Sequence, residues 1–212
     1  MKTVNCEQGT PEWFEVRCGK FTASRVKDIM AKTKSGPAAS RKNMIMQLAL
    51  ERLTNEIAET YCSPAMQRGT EMEPEARDAY AFENGVAVQE TGIVIHPDME
   101  KVTCSPDGLV GENGLVEIKC PMPPNHFKYL TSGSHATEYK WQLQHQLFVT
   151  GRDWVDIVSY HPAFEGLELA TKRVFPEPEM QEELKAEIVK AEIEINNILA
   201  SLQSMKQSAN AA

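Results

Sequence analysis

Long apolar runs are missing from this chain of 212 residues, and none approaches the length that crosses a bilayer. The N-terminal stretch Met1-Lys2-Thr3-Val4-Asn5-Cys6-Glu7 has no apolar signal-peptide core, so no membrane partner is expected. Cysteine is scarce and odd in number, five in all, with no C-x-x-C spacing. That argues against a disulfide framework or a zinc ribbon and points to a reducing cytoplasm. The five histidines are scattered and show no H-E-x-x-H pattern. Positive charge is also in deficit: a formal net charge of −8 argues against wholesale coating of nucleic acid. It leaves a local basic surface open. From Arg17 to Lys42 there are eight basic residues (Arg17, Lys20, Arg25, Lys27, Lys32, Lys34, Arg41, Lys42) against one acidic, Asp28. Charge runs are usually solvated faces, but this asymmetry tips the reading toward a polyanion-facing N-terminal region.

What is present suits a single soluble domain, 1–212, with residues 206–212 expected to fray. Hydrophobic content of 42% and charged content of 25% are ordinary for a globular protein, and no internal repeat is visible. The stretch Ser105 to Cys120 reads as a β-hairpin. Leu109-Val110 runs into Gly111-Glu112-Asn113-Gly114, and Leu115 to Cys120 returns, with Asn-Gly expected to supply the positive φ of the turn. Alternation sets Glu117 and Lys119 on one face and Val116 and Ile118 on the other, while strand pairing brings Asp107 to the same end.

Two carboxylates with the Ile118 carbonyl between them make a hard oxygen set suited to Mg²⁺ or Mn²⁺. Such a site can activate water and stabilise charge on a phosphoryl oxygen, and a lysine beside it can serve the attacking water. The plainer alternative is a solvated hairpin. Against it, the strand is apolar enough to be central, where charges need a reason.

Periodicity places other elements around this hairpin. Residues 11–30 read as two short helices broken at Gly19, with Thr22 or Ser24 capping the second. Lys32 to Ser40 reads as a loop and Arg41 to Ala58 as a helix with Met44, Ile45, Leu48 and Leu53 on its apolar face. Ser63-Pro64 opens a loop before a helix from Glu71 to Phe82. Val86 to Ile95 reads as one strand or a bent pair. A helix over Tyr139 to Val149 turns Trp141, Leu143, Leu147 and Phe148 inward and Tyr139, Gln142 and Gln146 to another side. Two strands follow, Trp154 to Tyr160 and Leu167 to Phe175. An amphipathic helix then runs from Glu179 to Met205, with Leu184, Ile188, Ile195, Leu199 and Leu202 along one face. A mixed α/β sheet flanked by helices is the simplest architecture.

Pro106-Asp107 followed by Glu117-Ile118-Lys119 resembles the PD-(D/E)xK signature of restriction-endonuclease-like nucleases. The wider string Cys104-Ser105-Pro106-Asp107-Gly108 with Glu117-Ile118-Lys119-Cys120-Pro121 resembles the phage lambda exonuclease family, also described as YqaJ-like viral recombinase nucleases. Trp13 to Ser24 is similar to its W-x₃-R-x-G-x-[IF]-T-A-S string, Gly69 to Glu73 to its G-x₃-E helix, and Tyr139 to Gln144 to its Y-x₂-Q-x-Q helix. Together these motifs, in the family's order, cover roughly residues 10–150.

The resemblance implies roles residue by residue. Asp107, Glu117 and the Ile118 carbonyl would bind two Mg²⁺ ions, with Mn²⁺ able to substitute, and Lys119 would serve the water. Glu73 would complete the acidic site, directly or through water, where the residues alone favour a helix-dipole charge, and Gln142 would approach from the later helix unless it is simply solvated. Arg17, Ser24 and Ser105 would grip a 5′-terminal phosphate, for which a guanidinium fork with hydroxyls is chemically apt. The alternative for Arg17 is an ion pair with Glu12 or Glu15. Met66 falls where the family carries an apolar wedge, and a core methionine is equally consistent. Arg68 departs from the family, where the lambda protein carries an aromatic.

The activity implied is a Mg²⁺-dependent, processive 5′→3′ exonuclease on linear double-stranded DNA ends that releases 5′-mononucleotides. A homotrimeric ring, a single-strand annealing protein as recombination partner, and a bacterial or phage-encoded cytoplasmic protein are implied with it. The alternatives are a structure-specific or restriction-type endonuclease on the same core, and a non-catalytic DNA-end-binding scaffold. The trio Asp107, Glu117 and Lys119 argues against the scaffold.

Overall fold

The computed structural model of the chain describes residues 2–34, 36–57 and 63–210. In chain order, β1 (Lys2–Val4), α1 (Pro11–Arg17), β2 (Phe21–Thr22) and α2 (Val26–Ile29) precede the short hairpin β3 (Lys32–Thr33) and β4 (Gly36–Pro37). Helices α3 (Ala39–Thr54) and α4 (Pro64–Asn84) lead to strands β5 (Val88–Gln89), β6 (Ile93–Ile95), β7 (Val102–Cys104), β8 (Gly108–Val110) and β9 (Gly114–Lys119). Then come α5 (Pro123–Ser132), α6 (His135–Glu138), α7 (Lys140–Thr150), β10 (Trp154–Tyr160), β11 (Leu169–Val174) and α8 (Pro178–Asn210).

The main sheet has the order β11-β10-β9-β8-β5, with β9 and β10 parallel and the other pairs antiparallel. It is the expected mixed sheet, and β9 is its central strand. A second sheet, β1-β6-β7-β2, was not anticipated. The chain passes directly from strand to strand between the sheets at Glu90-Thr91-Gly92 and again at Ser105-Pro106-Asp107. Proline has no N–H to give a ladder, so the strand that begins at Val102 cannot continue through Pro106. Gly92 is required by close approach, since a Cβ there would stand 2.1 Å from the Val4 carbonyl oxygen.

The hairpin forms with register Gly108↔Val116 and Val110↔Gly114. Its positive φ belongs to Gly111, at 54°, rather than to Gly114. Gly114 is needed for another reason: a Cβ would meet the Trp154 ring at 2.1 Å.

One core cluster joins Phe21, Ile29, Leu48, Val94 and Leu184 between the second sheet and helices α2, α3 and α8. Two others flank the main sheet, around Tyr80, Val116 and Val158 on one side and Leu115, Leu143 and Ile157 on the other. Of the expected apolar faces, Leu184, Ile188 and Ile195 are buried, whereas Leu202 and Leu53 are exposed. Helix α3 stops at Thr54 with Asn55 left-handed at φ 57°, so Leu53 sits in an exposed terminal turn. The stretch to Ala58, expected to be helical, ends in residues outside those described.

Helix α4 starts seven residues before Glu71, because Ser63 caps it and Pro64 takes its first position. Thr22 and Ser24 do not cap α2, which has no side-chain cap, and Lys32 to Ser40 carries the hairpin β3-β4 instead of a plain loop. Helix α8 runs on to Asn210, past the point where fraying is expected. Among the described residues no helix is long and apolar enough to cross a membrane.

Candidate active site

Asp107 lies in the second crossing, 8% exposed, and its Oδ2 accepts the Ile118 N–H at 2.7 Å. The hairpin register sets it level with Glu117, which is 2% exposed in the middle of β9. Glu117 is held from three directions. Its Oε1 accepts from Lys119 Nζ and from Gln142 Nε2, each at 2.5 Å, and its Oε2 accepts from Gln146 Nε2 at 2.5 Å. The Lys119 ammonium also stands 4.9 Å from the centre of the Tyr139 ring. Glu73, on α4, takes a hydrogen bond at 2.7 Å from Arg77, one turn on, while Arg77 Nε donates to the Asp107 carbonyl at 3.1 Å. Arg77 thus ties the helix-borne carboxylate to the crossing.

The electrostatics of the cluster disfavour the charged forms of Asp107 and Glu73 and favour that of Lys119. Burial pushes the Asp107 carboxyl well above the usual carboxylate range, and Glu117 and Glu73 push it further, against Lys119 and the Ile118 N–H. Burial likewise raises Glu73, with Arg77 pulling it down and Glu117 pushing it up. For Lys119 burial alone would lower the ammonium, but Glu117 and Asp107 outweigh it and hold the group above its ordinary range. Among the described residues, no three His, Cys, Asp or Glu side chains converge closely enough to hold a metal ion unaided. The oxygen donors of Asp107 and Glu117, with the Ile118 carbonyl, nevertheless fit a hard cation by chemistry, and the repulsion felt by Asp107 is what such a cation relieves.

Arg17, Ser24 and Ser105 come together through Trp13. The Arg17 guanidinium lies 3.8 Å from the Trp13 ring centre and donates to Ser24 Oγ at 3.2 Å and Thr22 Oγ1 at 3.4 Å. Trp13 Nε1 donates to Ser105 Oγ at 3.1 Å. The guanidinium therefore meets hydroxyls and a ring instead of Glu12 or Glu15. Burial, with Arg25 nearby, pushes it down to about 10, against Cys104 and Glu51. A cation so placed gains from an anionic ligand.

A cleft of about 1180 Å³ joins the two groups: Arg17 and Ser24 line it, and so do Glu73, Arg77 and Asp107. Glu117 and Lys119 lie beyond this lining, on the strand behind Asp107. Met66 is 58% exposed and lines the same cleft, which rules out the core-methionine alternative. Arg68 turns away, donating to the carbonyls of Cys120 and Pro121 at 3.2 and 3.3 Å.

Three of the eight basic residues of the N-terminal stretch are ion-paired within the fold. Arg25 pairs with Glu51 through two bonds of 2.8 Å, Lys32 with Glu183 at 2.7 Å, and Arg41 with Glu194 at 2.9 Å. Lys32 and Arg41 therefore answer glutamates of α8, while Arg17 and Arg25 line the cleft.

Sequence reading missed Arg77, and it gave Gln146 no role. The available signal was helical spacing: each stands four residues after a residue already singled out, Glu73 and Gln142. Gln144, inside the motif, faces elsewhere and bonds the Phe175 carbonyl and the Glu177 N–H.

A mixed sheet whose central strand carries Glu117 and Lys119, opposite an aspartate at a proline-broken crossing, is the fold of PD-(D/E)xK-type nucleases. The chain belongs to the family of the YqaJ-like viral recombinase domain, which matches residues 12–153. The alkaline exonuclease LHK-Exo from Laribacter hongkongensis is 39% identical, with a TM-score of 0.86 over 96% of this chain and 100% of that one. It has also been solved in complex with dAMP, with the same identity and coverage. A phage-related exonuclease from Haemophilus somnus 129PT, 16% identical with a TM-score of 0.71, covers 86% of this chain and 96% of its own and shares the fold. No curated protein gives a significant match.

Proposed function

We propose that the chain is a Mg²⁺-dependent exonuclease that digests one strand of linear double-stranded DNA from the 5′ end. It releases 5′-mononucleotides and leaves a 3′ single strand for recombination by strand annealing. The likeness to alkaline exonucleases supports a recombination-related nuclease, and the dAMP bound by LHK-Exo agrees with mononucleotide release. The observation that supports the 5′ polarity is the shared cleft, which Arg17 and Ser24 line together with Glu73 and Asp107.

In this reading Asp107, Glu117 and the Ile118 carbonyl hold the metal, two ions per site, with Mn²⁺ able to replace Mg²⁺. When bound, the metal supplies Lewis acidity at the phosphoryl oxygen and lowers the pKa of water. The chain's own residues do the rest. Arg17, Ser24 and Ser105 hold the terminal phosphate, and Trp13 keeps the guanidinium and the Ser105 hydroxyl in place. Lys119, fixed against Glu117, offers its ammonium to the attacking water or to developing negative charge. Gln142 orients Glu117, and Arg77 keeps Glu73 turned toward Asp107. Met66 stands where a wedge would part the duplex. A homotrimeric ring around DNA would make digestion processive by topology, and a single-strand annealing protein would receive the 3′ strand. A cytoplasmic site of action accords with these partners.

Closed circular and linear duplexes of one sequence, incubated with Mg²⁺, test the exonuclease against an endonuclease on the same core. Degradation of the linear form with the circle intact is expected; nicking or linearisation of the circle would replace this reading with the endonuclease.

A further inference from the structure

Gln146 is wholly buried on α7, one turn beyond Gln142, and its Nε2 donates to Glu117 Oε2 at 2.5 Å. Because the acceptor is a carboxylate oxygen, the amide must present its NH₂ end to it. That fixes the opposite end: Gln146 Oε1 is buried with no donor among the described residues. An acceptor buried without a donor is unfavourable, and the neighbouring helix positions Leu143 and Leu147 are filled by buried leucines. Packing alone therefore does not account for a glutamine here, and local rules are broken in this way where function demands it.

The count of lone pairs on Glu117 shows what the glutamine does. Each carboxylate oxygen has two acceptor sites. Oε1 receives both Lys119 and Gln142, which fill it. Oε2 receives Gln146 alone and keeps one site. We infer that Gln146 is a positioning residue that fixes the Glu117 carboxylate so that a single oxygen, Oε2, is left to face a divalent cation. This rests on the metal-dependent reading above. Without Gln146 the carboxylate can turn about its last torsion, a soft twofold rotor, and the free acceptor site is no longer held in one place.

The test is titration calorimetry of Mn²⁺ into the full-length protein without DNA, for the wild type and Gln146→Leu, with Gln146→Met as the variant of matching length. Binding of a 5′-phosphorylated duplex end in EDTA, which depends on Arg17 and not on Glu117, reports whether each variant is folded. The expected result is Mn²⁺ affinity weaker by about 10–100-fold in both variants, with end binding within about twofold of wild type. Wild-type Mn²⁺ affinity in either folded variant would overturn the inference while leaving the metal site standing. Failure of the wild type to bind Mn²⁺ would overturn the metal reading, and this inference with it.

Discussion

At Asp107 burial and the charges of Glu117 and Glu73 together disfavour ionisation, and Lys119 with the Ile118 N–H only partly offsets them. A carboxyl raised above its ordinary 3.8 contributes stability that is complete below that value and is lost as pH rises through the folded pKa. At pH 8, far above 3.8, the metal-free protein should therefore have lost at least part of that contribution. Asp107→Asn is expected to raise the Tm in EDTA at that pH and to abolish cleavage. Mg²⁺ should raise the Tm of the wild type but not of the variant. A variant less stable than wild type in EDTA would show that the aspartate is structural. Arg17→Ala bears on the other end of the cleft. It is expected to lose most of the preference for a 5′-phosphorylated over a 5′-hydroxyl end, measured as the ratio of initial rates; equal loss on both ends would remove the clamp. Asp107, Glu117, Lys119, Glu73 and Gln142 were legible because short motifs carry them. Spacing could have set Arg77 beside Glu73, but its second partner, the Asp107 carbonyl, lies 30 residues away, and only the fold brings the two together.

Element by element, periodicity located the long helices and strands β8 to β11, and missed what depends on distant neighbours. Strands of two or three residues, such as β1, β2 and β7, carry too short a pattern to read alone. The basic stretch shows the same limit for charge: Glu183, Glu187 and Glu194, the partners of Lys32 and Arg41, belong to α8, at the far end of the chain. The Arg25–Glu51 pair is the most buried of these contacts, and Glu51 also accepts the Gly19 N–H at 2.8 Å. It fastens the Gly19 turn, and so the Thr22–Ser24 hydroxyls, to α3. Removing one partner strands a buried charge. Arg25→Met is thus expected to lower stability by about 3–5 kcal/mol in urea unfolding. Arg25→Met with Glu51→Leu should recover most of that loss; an equally unstable double variant would mean that the ion pair was not the cause.

For the whole molecule, two sheets meet where the chain crosses at Ser105-Pro106-Asp107, and that junction is also where the clamp approaches the acidic site. Ser105 belongs to one group and Asp107 to the other, two residues apart, so in the proposed reading a strand end held by Arg17 would lie beside the carboxylates. The sequence suggested this closeness through the motif, but the second sheet and the bridging role of Trp13 emerge only from the packed chain. The central claim is that the cleft couples a 5′ phosphate to metal-dependent hydrolysis. Its most direct test is digestion of a blunt, 5′-phosphorylated linear duplex labelled at either end of one strand, in Mg²⁺ and in EDTA. Prompt release of the 5′ label as a mononucleotide, with none in EDTA, is the predicted result. Early loss of the 3′ label, internal fragments, or release that persists in EDTA would contradict it.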